Sequence, residues 1–137
     1  MENTITKGDA GLLMLRLGAT PGLFGFTSLR DAVEFVHNTP GHVPAMQMYA
    51  AAAAASGTTP SRCERNIRHM VSLIHKTPGP LYRELAEFAG AARLKAMPNH
   101  QFICTVVEWI RIRRERVTPD MVREIVEGTE LGRVANG

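Results

Sequence analysis

Ser61, Arg62, Glu64, Arg65, Arg68 and His69 are the side chains whose types and spacing could do chemistry in this sequence. They lie in "TTPSRCERNIRHMVSLIHK", Thr58 to Lys76. On a helix turning about 100° per residue, Cys63, Ile67, Met70, Val71 and Ile74 share one arc. Ser61, Arg62, Arg65, Arg68, His69, Ser72 and His75 fill the opposite arc, with Glu64 at its edge. One face is core, and the other is almost wholly donors and cations. Such a face can bind something negative. It is also what a solvated surface helix looks like, so periodicity alone leaves both readings open.

Other chemistries find little support. His69 and His75 are six apart, a poor spacing for one metal on a single helix, and Cys63 and Cys104 sit in no CxxC or Cys/His metal pattern. Each cysteine falls in an apolar helical pattern, so a reduced, buried thiol is expected, as in cytoplasm. No paired carboxylates, glycine-rich phosphate loop or Ser/His/Asp grouping stands out. The expectation is no enzyme, no catalytic residue, no metal and no cofactor. Residues 35–61 contain no Asp, Glu, Lys or Arg, but Pro40, Gly41, Pro44, Gln47 and Gly57 interrupt them, well short of a membrane span. No cationic segment followed by an apolar run marks a signal peptide at the N-terminus. A soluble, cytoplasmic chain is expected. Its 137 residues, 45% hydrophobic and 21% charged, suffice for one domain, and the net charge of +3 matters only where positives cluster.

The elements that must hold the charged face read as helices divided by Gly and Pro, with no convincing strand, so the class is all-α. Residues 6–18 form a short helix closed by Gly18, and 19–26 a turn-rich connection. Residues 27–38 form a helix capped by Thr27 or Ser28, with Leu29, Val33 and Val36 inward. Residues 42–57 hold six consecutive alanines, a strong helix former of little bulk, stopped by Gly57. The charged helix then runs from about Pro60 to Lys76. Either Thr59 caps it with Pro60 at the first position, or Ser61 and Glu64 form a capping box. Residues 77–90 give a short amphipathic helix with Leu81, Leu85 and Phe88 on its apolar side, 91–100 a connection, and 101–116 a long helix. An extra small helix follows at 118–128, and the last residues are a tail. The architecture expected is one domain over 1–137, about six helices plus the extra C-terminal one.

Ala53 and Gly57 stand four residues apart where one helix ends and the charged one begins. A small residue for close approach, a glycine for the turn and a second polar-faced helix are what a helix-turn-helix requires.

These residues carry a resemblance. "TTPSRCERNIRHMVSLI" is similar to the recognition-helix segment of the C-terminal effector domain of the sporulation-initiation response regulator family, whose pattern runs Thr-Thr-x-Ser-Arg-x-Glu-Arg-x-Ile-Arg-His. "FTSLRDAVEFVHN" (26–38) resembles the family's second helix, and "LKAMPNHQFICTVVEWIRI" (94–112) its Lys-x-x-Pro-x-Asn…Phe-Ile ending, one residue shorter. The likeness covers about Leu12 to Arg113. It implies a six-helix, cytoplasmic, sequence-specific regulator of transcription that binds double-stranded DNA at short promoter boxes, often in tandem. Arg62, Glu64 and Arg65 then become base-readers, with Ser61, Arg68 and His69 on the backbone. Their chemistry suits those roles: Arg forks onto guanine O6 and N7, Glu accepts from cytosine N4, and Ser and His donate to phosphates. RNA polymerase and a second copy on tandem boxes are the further partners the likeness suggests.

Three features depart from the family. Ala54 and Ala55 stand where it tends to carry lysines, which predicts a weaker phosphate grip from that helix. The receiver domain that normally precedes the effector is not among these residues, so the chain is read as an effector part cut from a longer regulator or as a stand-alone regulator. Residues 117–137 extend past the likeness. The alternatives are a non-enzymatic helical protein-interaction module that has lost specific DNA binding, using Trp109 and the C-terminal tail, and a nonspecific architectural DNA binder. "RIRRER" (111–116), the densest positive cluster, reads as a solvated helix end. Lys95 reads as a surface lysine, although it resembles a family backbone-contact position.

Overall fold

The structure, a computed structural model, describes residues 4–115. These residues form seven helices and no strand: α1 (Lys7–Leu17), α2 (Phe24–Asn38), α3 (Ala45–Ser56), α4 (Pro60–Lys76), α5 (Pro80–Ala89), α6 (Ala91–Ala96) and α7 (Asn99–Glu115). The class is all-α, as the periodicity required. By internal packing the chain forms two units, Met1–Val107 and Glu108–Gly137, with the boundary inside α7. The small helix expected at 118–128 and the tail after it lie outside the described residues.

In the first unit α2 is the pillar. It packs against α1, α3 and α4, while α3 packs on α4, α1 on α5, and α5 on α6. Leu29, Ala32, Val33 and Val36 of α2 are buried, and with Met48, Ile67, Met70, Ile74, Leu85 and Phe102 they make the core. α1 is tied down by polar bonds as well as by buried Met14 and Leu17. The Ile5 amide donates to Asn38 Oδ1 at 2.8 Å, Asn38 Nδ2 donates back to the Ile5 carbonyl at 2.9 Å, and Lys7 Nζ reaches Asp31 Oδ1 at 3.4 Å. Thr6 and Asp9 close a capping box at its start, and Gly18 ends it at φ 113°, a left-handed position that suits glycine.

Four local expectations are corrected. α2 starts at Phe24, with Leu23 at its cap, so Thr27 and Ser28 lie within the first turns rather than capping them. The reason is tertiary: the Gly25 backbone sits so close to α4 that an added Cβ would stand 2.5 Å from the Asn66 carbonyl oxygen and 2.8 Å from Met70 Cβ. Residues 91–96, expected as connection, form α6 between Gly90 and the Pro98 turn. Phe88 stands out from α5 at 62% exposure instead of joining Leu81 and Leu85. Cys104 is only half-buried, its Sγ 3.5 Å from His100 Nε2, whereas Cys63 is fully buried. In the second unit, Arg111 pairs with Glu108 at 3.7 Å, Ile110 is buried and Trp109 half-buried.

Candidate nucleic-acid interface

The charged stretch is held by the pair α3–α4. α3 ends in a Schellman arrangement: Gly57 takes φ 68° and ψ 34°, the Thr58 amide donates to the Ala53 carbonyl at 2.9 Å, and the Gly57 amide donates to that of Ala54 at 3.4 Å. The turn is therefore Gly57, Thr58 and Thr59. Buried Ala52 and Ala53, with no side chain beyond Cβ, let α3 lie close to α4. Of the two caps the sequence allowed, the structure has Thr59: its Oγ1 accepts from the Arg62 amide at 3.2 Å, with Pro60 at the first helical position. Thr59→Ala is expected to cost about 1 kcal/mol of stability, read as a shift in urea midpoint, because that amide then loses its partner in the fold.

α4 divides as its wheel requires. Cys63, Ile67, Met70, Val71 and Ile74 are buried, whereas Ser61, Arg62, Glu64, Arg65, Arg68, His69 and Ser72 are exposed. Along this one helix all six candidate residues are brought to the outer surface. No acidic residue stands in the first turn, so the positive end of the helix dipole and Arg62 and Arg65 add in one direction. Neither arginine has a carboxylate within ion-pair distance among the described residues. Arg68 does: its Nη2 lies 3.4 Å from Glu64 Oε1, with side chains 61% and 48% exposed. An exposed i,i+4 pair of this kind is worth about 0.3–0.5 kcal/mol, too little to hold either group back from a phosphate or a base.

Two neighbours were not legible from the charged stretch. Tyr49 of α3 is half-buried, and burial first, then the Glu64 carboxylate, raises its phenol above the ordinary tyrosine value, while Arg68 opposes the rise. Its phenol and Glu64 thus share one electrostatic surrounding at the α3–α4 seam. His75, placed on the polar arc by the wheel, is only half-exposed, with Nδ1 2.6 Å from Tyr82 Oη. Cys63 is inert by its setting. Burial raises its thiol most, Asp31 adds to this, and the Ser28 hydroxyl works against it.

The outer face of α3 carries no charge: Met46, Gln47, Ala50, Ala54 and Ala55 are exposed. Among the described residues, no three His, Cys, Asp or Glu side chains come together as a metal site needs. Nor is any described helix long and apolar enough to cross a membrane.

No curated protein and no solved structure matches the chain. A family match covers residues 11–110, which take in α2 to α6 whole, and its description is Sporulation initiation factor Spo0A C terminal. With the helix-turn-helix pair and its exposed arginines inside that span, the chain belongs to this family, the DNA-binding domain of the sporulation initiation factor.

Proposed function

We propose that the protein is a sequence-specific regulator of transcription that binds double-stranded DNA with α4 in the major groove, N-terminus first. In this reading Arg62, Glu64 and Arg65 read base edges while Ser61, Arg68 and His69 hold phosphates. It works in the cytoplasm on promoter boxes, with RNA polymerase and a second copy on tandem sites as further partners. What supports the reading above all is the division of α4. Five apolar residues are sealed in the core, and three arginines on the other side face solvent against one glutamate. A helix needing only solubility gains nothing from placing Arg62 and Arg65 side by side at its dipole's positive end.

The test is selection of preferred duplexes from a random pool, followed by anisotropy titration at several salt concentrations. Binding should weaken steeply with salt, as phosphate neutralisation requires. Glu64→Gln is expected to relax the preference at a cytosine-bearing position by about 1–3 kcal/mol while leaving the salt slope nearly unchanged. Equal affinity for every duplex would instead favour an architectural binder. Salt-insensitive binding, or none, would favour the interaction module that uses Trp109 and the C-terminal tail.

A further inference from the structure

The last turn of α4 ends against a cluster outside the charged face. His75 Nδ1 lies 2.6 Å from Tyr82 Oη of α5, and the two rings meet edge-on at 5.5 Å between centroids. The His75 ring also meets Phe102 of α7 at 5.4 Å and 68°, and Tyr82 and Phe102 stand 6.3 Å apart, so the three rings form one cluster. Tyr82 is 4% exposed and Phe102 fully buried, so three helices close on one imidazole.

We propose that His75 is a positioning residue for the recognition helix, a proton-responsive brace that anchors α4 to α5 and α7 when neutral and loosens it when protonated. The proposal rests on the DNA-binding reading only for its consequence, weaker binding in acid.

The chemistry follows from the ring's valences. A neutral imidazole with its N–H on Nε2 can accept a hydrogen bond from the Tyr82 hydroxyl at Nδ1. A cationic ring carries N–H on both nitrogens, so Nδ1 must donate, and the buried Tyr82 hydroxyl must turn its own proton elsewhere. The surroundings disfavour the cation. From α5 the ring faces the neutral Tyr82 phenol, from α7 the uncharged Phe102, from α6 the Lys95 ammonium, and Lys76 follows it on α4. Burial first, then Lys95, lowers His75 below the ordinary histidine value. With a lowered folded value, the unfolded chain takes up the proton first as pH falls. The brace's stability is therefore fully present above the ordinary histidine value of 6.5 and declines below it, down to the folded value.

The experiment uses the full chain. The His75 ring signals are followed by NMR through an acid titration, and urea midpoints by circular dichroism across the same range, for the wild type and His75→Phe/Tyr82→Phe. That variant keeps the aromatic packing and removes the orphaned hydroxyl together with the titrating ring. Affinity for a duplex selected from a random pool is measured at each pH. Expected are a His75 midpoint below 6.5, and a fall in urea midpoint and in DNA affinity on acidification that the variant shows to a clearly smaller extent. A His75 midpoint at or above 6.5 overturns the proposal even if the variant does not fold. An acid loss in the variant as large as in the wild type overturns it too. Absence of DNA binding at every pH would overturn the functional reading and the consequence drawn from it, while the NMR and urea arms still decide the brace.

Discussion

Arg65→Ala is expected to erase most of the preference for a selected duplex over a scrambled one while leaving the fold intact. Arg65 is exposed, has no carboxylate partner among the described residues, and stands nearly two turns beyond the Thr59 cap. Truncating it disturbs neither core nor cap, so its effect on unfolding should stay within about 0.5 kcal/mol. On DNA the loss should be large. A guanidinium forked onto guanine O6 and N7 discriminates by about 1–3 kcal/mol, and no neighbour has the geometry to replace it. Arg62→Ala should act similarly at another base position. Arg68→Ala provides the contrast: a phosphate-holding arginine should weaken all duplexes alike and reduce the salt slope by about 1. Anisotropy on both duplexes at several salt concentrations separates the two patterns. If Arg65→Ala weakens the selected and scrambled duplexes equally, Arg65 reads no base.

Gly25→Ala is expected to damage the α2–α4 packing severely. The new Cβ would sit 2.5 Å from the Asn66 carbonyl oxygen and 2.8 Å from Met70 Cβ. Neither obstacle is the free end of a flexible chain, so α2 and α4 must separate. Overpacking of this kind costs about 1–3 kcal/mol, against a total of about 5–15 kcal/mol for a typical domain. DNA affinity should fall as well, because α4 is the helix displaced. Gly8→Ala is the control. It lies within α1 and its Cβ would meet only Thr6 Oγ1, at 3.7 Å, so it should stabilise by about 0.5–1 kcal/mol. Thermal midpoints of the two variants should move in opposite directions. If Gly25→Ala melts like the wild type, the close α2–α4 crossing is wrong.

What could be read from the sequence and what could not divides along physical lines. α4 was legible in its extent and its buried face because local chemistry signals them: Gly57 for the left-handed turn, Pro60 for the first turn, and the spacing from Cys63 to Ile74 for burial, while the choice between the Thr59 and Ser61 caps needed the structure. The start of α2 was not, because a contact with residues some forty positions later overrides the local capping signals of Thr27 and Ser28. Ser28, which looked like a cap, is buried and acts on the Cys63 thiol. α6 is six residues long, too short for a periodic signal to rise above its neighbours. His75 was misplaced for a different reason. A helical wheel knows only one helix, whereas α5 and α7 approach His75 from the far end of α4. Of the proposed interface, the six residues of α4 were legible as a face, and the Glu64–Arg68 pair follows from their i,i+4 spacing on it; Tyr49 emerges only once α3 and α4 are set side by side.

The alanine wall of α3 has a consequence for how such a protein would search a chromosome. Ala50, Ala54 and Ala55 offer phosphates no cation, so that side of the helix pair releases no counterions on contact. Dwell times on random sequence shorten when fewer phosphates are neutralised, and genomic DNA, with about 10⁶–10⁹ competing sites, sequesters the protein less. Alanine also has no rotamers to freeze, so docking that wall against a sugar–phosphate edge costs almost no side-chain entropy. A regulator gripping DNA through α4 alone would then leave wrong addresses quickly, and its occupancy of a promoter would rest on base recognition more than on charge.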